Sequence, residues 1–290
     1  MHKPKKSDLL RSTRPIDFQH IHDSGAVMMR ASRFICAAIV LSWSATIHVN
    51  AGINADDIVL ALQFDEGEGE NAVDLSSNGN SASLVQGAKW GGGKLGTCLR
   101  LKNTAHAAVA NHPSLDLHET DFSLAIWMNF SSEPGWYNLM AHSEGPGGGD
   151  KKWFWMYSGG KFKFHIFNPG GELAWIDSEF FGFPELDRWY HLALVKRQEQ
   201  YTFFLDGEPF GESVKDLPVP TEINHDLTIG WSQEDRYFQG LLDEVLIVKQ
   251  AMTRDDVQMH LLGGVRGILA VEPGEKITTR WGDLRSGIGL

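Results

Sequence analysis

Cysteine is nearly absent from this chain of 290 residues: there are two, Cys36 and Cys98. Cys36 falls in an N-terminal segment expected to be removed. That leaves Cys98 alone, excludes an intrachain disulfide, and assigns stability to an apolar core. Cys98 itself reads as a buried strand residue. Long apolar runs are also missing. The longest, Phe34 to Trp43, is about ten residues, against about 20 for a membrane span. The Walker loop, the dinucleotide fingerprint, a Ser-His-Asp arrangement, heptads and internal repeats are all lacking. Positive charge is scarce: beyond residue 51 the sequence holds 19 Lys/Arg against 34 Asp/Glu. An acidic excess argues against nucleic acid or an anionic membrane as partner.

The N-terminus carries the layout of a secretory signal over 28–51: Arg30 and Arg33, the apolar run, then small residues ending at Ala51. Cleavage after Ala51 is expected, and no membrane span remains after it. The competing reading is a membrane anchor, but the run is short and Ser42, Ser44 and His48 interrupt its end. Residues 1–27 have no sustained apolar period. They read as disordered, or as preceding a true start at Met28 or Met29. The expected location is secreted or periplasmic.

What is present is alternation. Phe122, Leu124, Ile126, Met128 and Phe130 recur at every second position, the period of a strand with one buried face. Similar runs cover 58–64, 152–157, 161–167, 189–196, 201–205, 227–231 and 241–248. Ser158-Gly159-Gly160 reads as a hairpin turn, and Asp206-Gly207 as another. Ten or more strands with Gly-rich connections predict an all-β, two-sheet antiparallel sandwich. One helix is expected, from the cap Thr253 to Leu262, with Asp256 completing a capping box and Gly263 ending it. Residues 263–290 read as a C-terminal extension outside the core.

Several motifs, in order, carry a resemblance. These are Phe64-Asp-Glu-Gly-Glu-Gly69 with Asp74-Leu-Ser-Ser-Asn-Gly-Asn80, then Gly92 to Leu101, Pro113 to Leu117 and Phe122 to Trp127. Trp189-Tyr-His-Leu-Ala193, Phe204-Leu-Asp-Gly207, Leu227-Thr-Ile-Gly230 and Gly240 to Val245 follow. Over 57–262 the chain resembles the laminin-G-like, concanavalin A-like jelly-roll domains of bacterial secreted proteins, the pentraxin-related type. Ser77 departs from the usual Gly, and Cys98 from a small residue such as Ala. The resemblance implies a jelly roll with one short C-terminal helix.

Three chemistries are weighed. Asp74, Asn78 and Asn80 put oxygen-bearing side chains on one short loop beside Gly79, as a hard cation such as calcium requires. The resemblance adds Asp243, from a strand expected to lie beside that loop, and implies a structural calcium joining the two ends of the chain. The alternative is an Asx-turn loop without metal. A glycoside hydrolase needs two facing carboxylates. Asp243 and Glu244 are adjacent, so strict alternation points them to opposite faces, and Glu185-x-Asp187 is followed by Arg188 instead of a third acid. The third chemistry is ligand binding by aromatic side chains. Trp136, Tyr137, Trp153, Trp155 and Trp231, with Trp175, lie near predicted loops or strand ends, where rings can stack on sugars. The alternative for each ring is interior packing. His191 reads as structural, and the other histidines lack metal spacing. The sequence thus predicts a non-catalytic binding module, with a glycan or a cell-surface protein as partner and a structural calcium. A glycoside hydrolase on the same fold, or an assembly module, is the runner-up.

Overall fold

The alternating runs become strands in the computed structural model, which describes residues 52–270 except 119, 148, 169–171, 212–213 and 215–219. The signal layout at 28–51, residues 1–27, and 271–290 of the expected extension lie outside the described residues. In chain order the first strands are β1 (Ile58–Leu62), β2 (Asn71–Ala72), β3 (Ala82–Val85), β4 (Lys89–Gly92), β5 (Thr97–Leu101) and β6 (His106–Val109). β7 (Phe122–Phe130), β8 (Trp136–Ser143), β9 (Lys152–Ser158), β10 (Lys161–Asn168) and β11 (Glu172–Asp177) follow. β12 (Trp189–Arg197), β13 (Gln200–Leu205), β14 (Glu208–Pro209), β15 (Leu227–Ile229), β16 (Gly240–Val248) and the helix α1 (Arg254–Leu269) complete the set.

They form two antiparallel sheets. The first runs β14-β13-β12-β7-β16-β5-β4, with β1 also paired to β16; the second runs β11-β10-β9-β8-β15-β6-β3-β2. The β1–β16 pairing, with Leu62 opposite Val245, joins the early and late parts of the folded body by a backbone ladder. The predicted hairpin is present: Ser158 faces Lys161, and Gly159 and Gly160 both have positive φ (60° and 81°), as a two-residue I′ turn requires.

Alternation decides what each face meets. Phe122, Leu124, Ile126, Met128 and Phe130 enter the inter-sheet core with Trp153, Trp155, Tyr157, Phe162, Phe164 and Ile166. Each such ring removes 150–250 Å² from water, worth about 4–6 kcal/mol before ordering costs. The opposite face of the first sheet carries small residues, Ala61, Ala125 and Ala193, which leave room for α1 to pack Val257, Val265 and Ile268 there.

The helix departs from its predicted end. The capping box is as expected: Asp256 N donates to Thr253 Oγ1 (3.2 Å) and Thr253 N to Asp256 Oδ2 (2.8 Å). Gly263 does not terminate it, however; the chain kinks at Gly264 (φ 59°, ψ −153°) and continues to Leu269. Residues 263–269 are therefore part of the folded body and not an extension outside it. Burial of Val265 and Ile268 outweighs the stop signal of the paired glycines.

Candidate ligand-binding face

With helix α1 covering the first sheet, the open face of the sandwich belongs to the second. One cross-strand row spans most of that sheet: Ser83, Ala108, Thr228, Ala141, Phe154, His165 and Trp175 face one another in register. Phe154 and Met156 point outward here because Trp153, Trp155 and Tyr157 point into the core. Yet Ala141, Phe154 and Met156 are buried and form a small cluster of their own. A strap, residues 231–237, accounts for this. Asn138 Nδ2 donates to Ser232 Oγ (2.6 Å) and Gln233 Nε2 to Ser143 O (3.0 Å). Lys152 Nζ, almost wholly buried, donates to Glu234 Oε1 (2.7 Å), and Arg236 lies over the Trp136 ring at 4.3 Å.

On one side of the strap is an open groove of about 460 Å³ whose lining includes His106, Ala108, Thr228, Trp231, Asn111 and Asp226. The His106 ring packs against Trp231 with centroids 4.6 Å apart. Its Nδ1 lies 2.9 Å from Thr104 O, a pure acceptor, so Nδ1 carries the proton. Burial lowers its pKa and favours the neutral ring, in which Nε2 is an acceptor. Asp226 Oδ1 accepts from Asn111 N (2.9 Å). The groove thus combines an apolar aromatic wall with convergent amide, carboxylate and imidazole groups.

On the other side of the strap, Trp136 (48% exposed) and Trp175 (38% exposed) meet edge to face at 6.2 Å. Lys163 Nζ donates to both oxygens of Asp177 (2.8 and 2.9 Å), and Trp175 stacks on His165. Burial lowers the His165 pKa to about 4.

The predicted ligand residues therefore separate. Trp136 and Trp231 lie on this face. Trp153 and Trp155 do not: they are 1% and 0% exposed in the inter-sheet core, because their strand parity sends them inward. Tyr137 also turns inward, stacked on Phe130 at 6.3 Å, with its hydroxyl 2.7 Å from Ser132 Oγ. Sequence reasoning missed His106, Asp226, His165, Lys163 and Arg236. The Lys161-x-Lys163-x-His165 alternation, opposite Phe162, Phe164 and Ile166, was the available signal for the hairpin part of the face.

The four expected calcium ligands are held in two separate hydrogen-bond sets. Asp74 Oδ1 accepts from Ala61 N (2.9 Å) and Ser76 N (3.0 Å), and Oδ2 from Ser76 Oγ (2.6 Å) and Asn80 N (2.8 Å). Asn78 and Asn80 turn their amide nitrogens to Ile58 O and Val59 O, both at 2.8 Å. This is a hydrogen-bonded Asx loop that stitches itself to β1. Asp243 serves another turn: its Oδ2 accepts from Lys94 N (2.8 Å) and Leu95 N (3.1 Å), and its Oδ1 from Glu244 N (3.0 Å). With N–H donors on these oxygens, the set does not fit a shared cation.

The Asp243–Glu244 pair also escapes strict alternation. The register shifts between Asp243 and Leu246, and Glu244 takes a positive φ of 53°. This bulge turns Glu244 toward the helix side, where its Oε2 accepts from Val265 N (2.6 Å), just past the Gly264 kink. A side chain at Gly264 would collide with that carboxylate, as the site of a Cβ lies 2.3 Å from it. Nearby, His191 Nε2 and His260 Nδ1 share a buried hydrogen bond of 2.9 Å. Burial raises Asp243 to about 8 and Glu244 to about 7, and lowers His260 to about 3 and His191 well below its usual value. This polar cluster ties α1 to the first sheet, a structural role that the sequence did not assign to Glu244.

The chain belongs to the concanavalin A-like lectin/glucanases superfamily, whose Laminin_G_3 family model matches residues 101–258. Among solved structures it is similar to domain 4 of AbnA, a GH43 extracellular arabinanase from Geobacillus stearothermophilus, in complex with arabinotriose. Identity there is 17% and the TM-score 0.57, over 70% of this chain and 97% of that one. It is also similar to the binding domain of Paraclostridial Mosquitocidal Protein 1 (16%, TM-score 0.56, 71% and 52%). A third is the ligand-binding domain of botulinum neurotoxin serotype D in complex with N-acetylneuraminic acid (14%, TM-score 0.56, 72% and 51%). The chain spans about half the length of these two toxin domains. At such identities the likeness concerns the fold alone. A search of curated proteins found no match. No helix among the described residues is long and apolar enough to cross a membrane.

Proposed function

We propose that this chain is a non-catalytic, extracytoplasmic carbohydrate-binding module that uses the open face of its second sheet. The observation that carries this reading is the groove beside the strap. There Trp231 and His106 offer an apolar wall for sugar C–H faces, and Asn111, Asp226 and Thr228 offer hydroxyl partners. Two structural neighbours, the arabinanase domain and the neurotoxin domain, were solved with a sugar bound, which agrees with this use of the fold. Secretion is supported by the signal layout of residues 28–51 and by the extracellular origin of the arabinanase domain.

A binding role is favoured over hydrolysis because glycoside cleavage takes two carboxylates across the scissile bond. The groove lining offers one, Asp226, and that one already caps Asn111 N. Asp243 and Glu244 sit beneath α1, committed to backbone N–H groups.

Affinity electrophoresis in gels containing arabinan, galactan or β-glucan tests the reading. Retardation on at least one polymer is expected, weakened about tenfold by Trp231→Ala, the equivalent of one lost stacking contact. Unretarded migration on every polymer, or retardation that survives Trp231→Ala unchanged, contradicts it. Release of reducing sugar, abolished by Asp226→Asn, favours the enzyme instead.

A further inference from the structure

The groove leaves unexplained the other end of the open face, across the strap. Trp136 and Trp175 are both large apolar side chains left exposed, and they meet edge to face, with planes 73° apart, to make a corner. Cations surround this corner. Lys161 and Lys163 both reach Asp177, and Lys152 and Arg236 both reach Glu234. Four cations thus share two carboxylates among the described residues, in a chain whose formal net charge is −11. Local positive charge against an acidic background is the arrangement that selects an anionic ligand.

The individual groups have capacity left over. Arg236 spends Nη2 on Glu234 and brings Nη1 to 4.0 Å from Met156 Sδ, a weak acceptor. A guanidinium has five N–H donors, so a planar carboxylate can still be taken up. Lys161 is 37% exposed and 3.4 Å from Asp177, the loosest of the four pairs. Beneath the corner, His165 is more than nine-tenths buried under Trp175, and neither of its ring nitrogens has a hydrogen-bond partner. A buried polar ring without partners is costly. Its nitrogens are closed off by Trp175, so a ligand at the corner meets the tryptophan rings and the cations and not this imidazole.

We infer that the Trp136–Trp175 corner is an anionic-sugar subsite that takes the carboxylate-bearing residues of a uronate polysaccharide. The rings would stack on the sugar, with Arg236 and Lys161 meeting its carboxylate. The inference rests on the carbohydrate reading above and deepens it, from glycan to acidic glycan. The cross-strand row supports one polymer using both sites. Thr228 in the groove and Trp175 at the corner stand four strands apart in register. At about 4.8 Å per strand that is roughly 19 Å.

The test is binding of the whole chain to polygalacturonate and to the same polymer fully methyl-esterified, which keeps the backbone and removes the charge. Neutral arabinan, galactan and β-glucan run alongside. Polygalacturonate is expected to bind roughly tenfold tighter than its ester, the size of one charge-assisted hydrogen-bonded pair. Added salt should erode that preference. Arg236→Gln and, separately, Lys161→Gln should each reduce it; Lys161 lies on the hairpin end and not on the strap, so its variant keeps the strap intact. Equal affinity for acid and ester, or binding to the neutral polymers alone, overturns the anionic subsite and leaves the glycan reading standing. Binding to none of the polymers overturns both.

Discussion

Trp175 lies flat on His165, with ring centroids 3.8 Å apart and planes 13° from parallel. The two are direct register partners on β11 and β10, so the stack is fixed by the ladder. Trp175 helps to keep water from the imidazole, and burial lowers its pKa to about 4. Trp175→Ala is therefore expected to move the His165 titration up toward 6.5, the ordinary value. An NMR titration of the histidine ring protons reads this directly. A midpoint that stays near 4 would mean that the strap, and not Trp175, excludes the water.

Lys152 holds the strap down. Its ammonium is almost wholly buried and donates to Glu234 Oε1, Gly147 O and, more weakly, Pro146 O. Removing one partner of a buried ion pair costs about 3–5 kcal/mol. Glu234→Ala leaves Lys152 uncompensated and is expected to cost about 3 kcal/mol in urea unfolding. It should also open residues 232–237 to limited proteolysis. A change below about 0.5 kcal/mol, the range of ordinary surface substitutions, would show that the strap is held by other contacts.

The buried acids set a pH dependence of definite sign. Glu244, ordinarily near 4.5, titrates near 7 in the folded chain, and Asp243, ordinarily near 3.8, near 8. The folded state thus holds these protons more tightly than the unfolded one. The resulting stabilisation is full below pH ~4 and is lost as pH rises through 7 to 8. The buried neutral histidines His191 and His260 work the other way, losing stability as pH falls below 6.5. Glu244→Gln keeps an acceptor near Val265 N and removes one titration. Its stability should fall less steeply between pH 5 and 7.5 than that of the unaltered chain, as measured by chemical unfolding at several pH values. Identical slopes would place the proton elsewhere.

The Asp74 loop is held by its own hydrogen bonds. Four donors, from Ala61, Ser76 and Asn80, converge on its two oxygens. Chelator or added calcium is expected to leave the melting temperature unchanged, because an ion that does not bind contributes nothing by linkage. Asp74→Ala should cost about 2–4 kcal/mol, since it strands several buried donors at once. A melting temperature that rises with calcium would restore the cation site that the resemblance implied.

The fold was legible because its evidence is local. The period of two in Phe122–Phe130, the Gly159-Gly160 turn and the Thr253–Asp256 capping box all act within a few residues. The candidate site was less so, because it depends on parity and on distant partners. Trp153 and Trp136 look equally available in sequence, yet one is core and the other surface, decided by which way each strand faces. The bulge at Glu244 reversed an inference from alternation, since one extra residue shifts every face after it. His106, Asp226 and Trp231 come from separate segments that meet only once β6 and β15 pair. The kinked end of α1 was hidden by two glycines whose stop signal yields to the burial of Val265 and Ile268.

The most direct test of the central claim, that the open face of the second sheet is where glycan binds, is hydrogen exchange. The chain would be measured with and without an oligosaccharide cut from the polymer that retards it most. The account predicts slowed exchange in 106–109, 227–229 and the strap 231–237, with 254–269 unchanged. Protection confined to 254–269, or to the Asp74 loop, would contradict it.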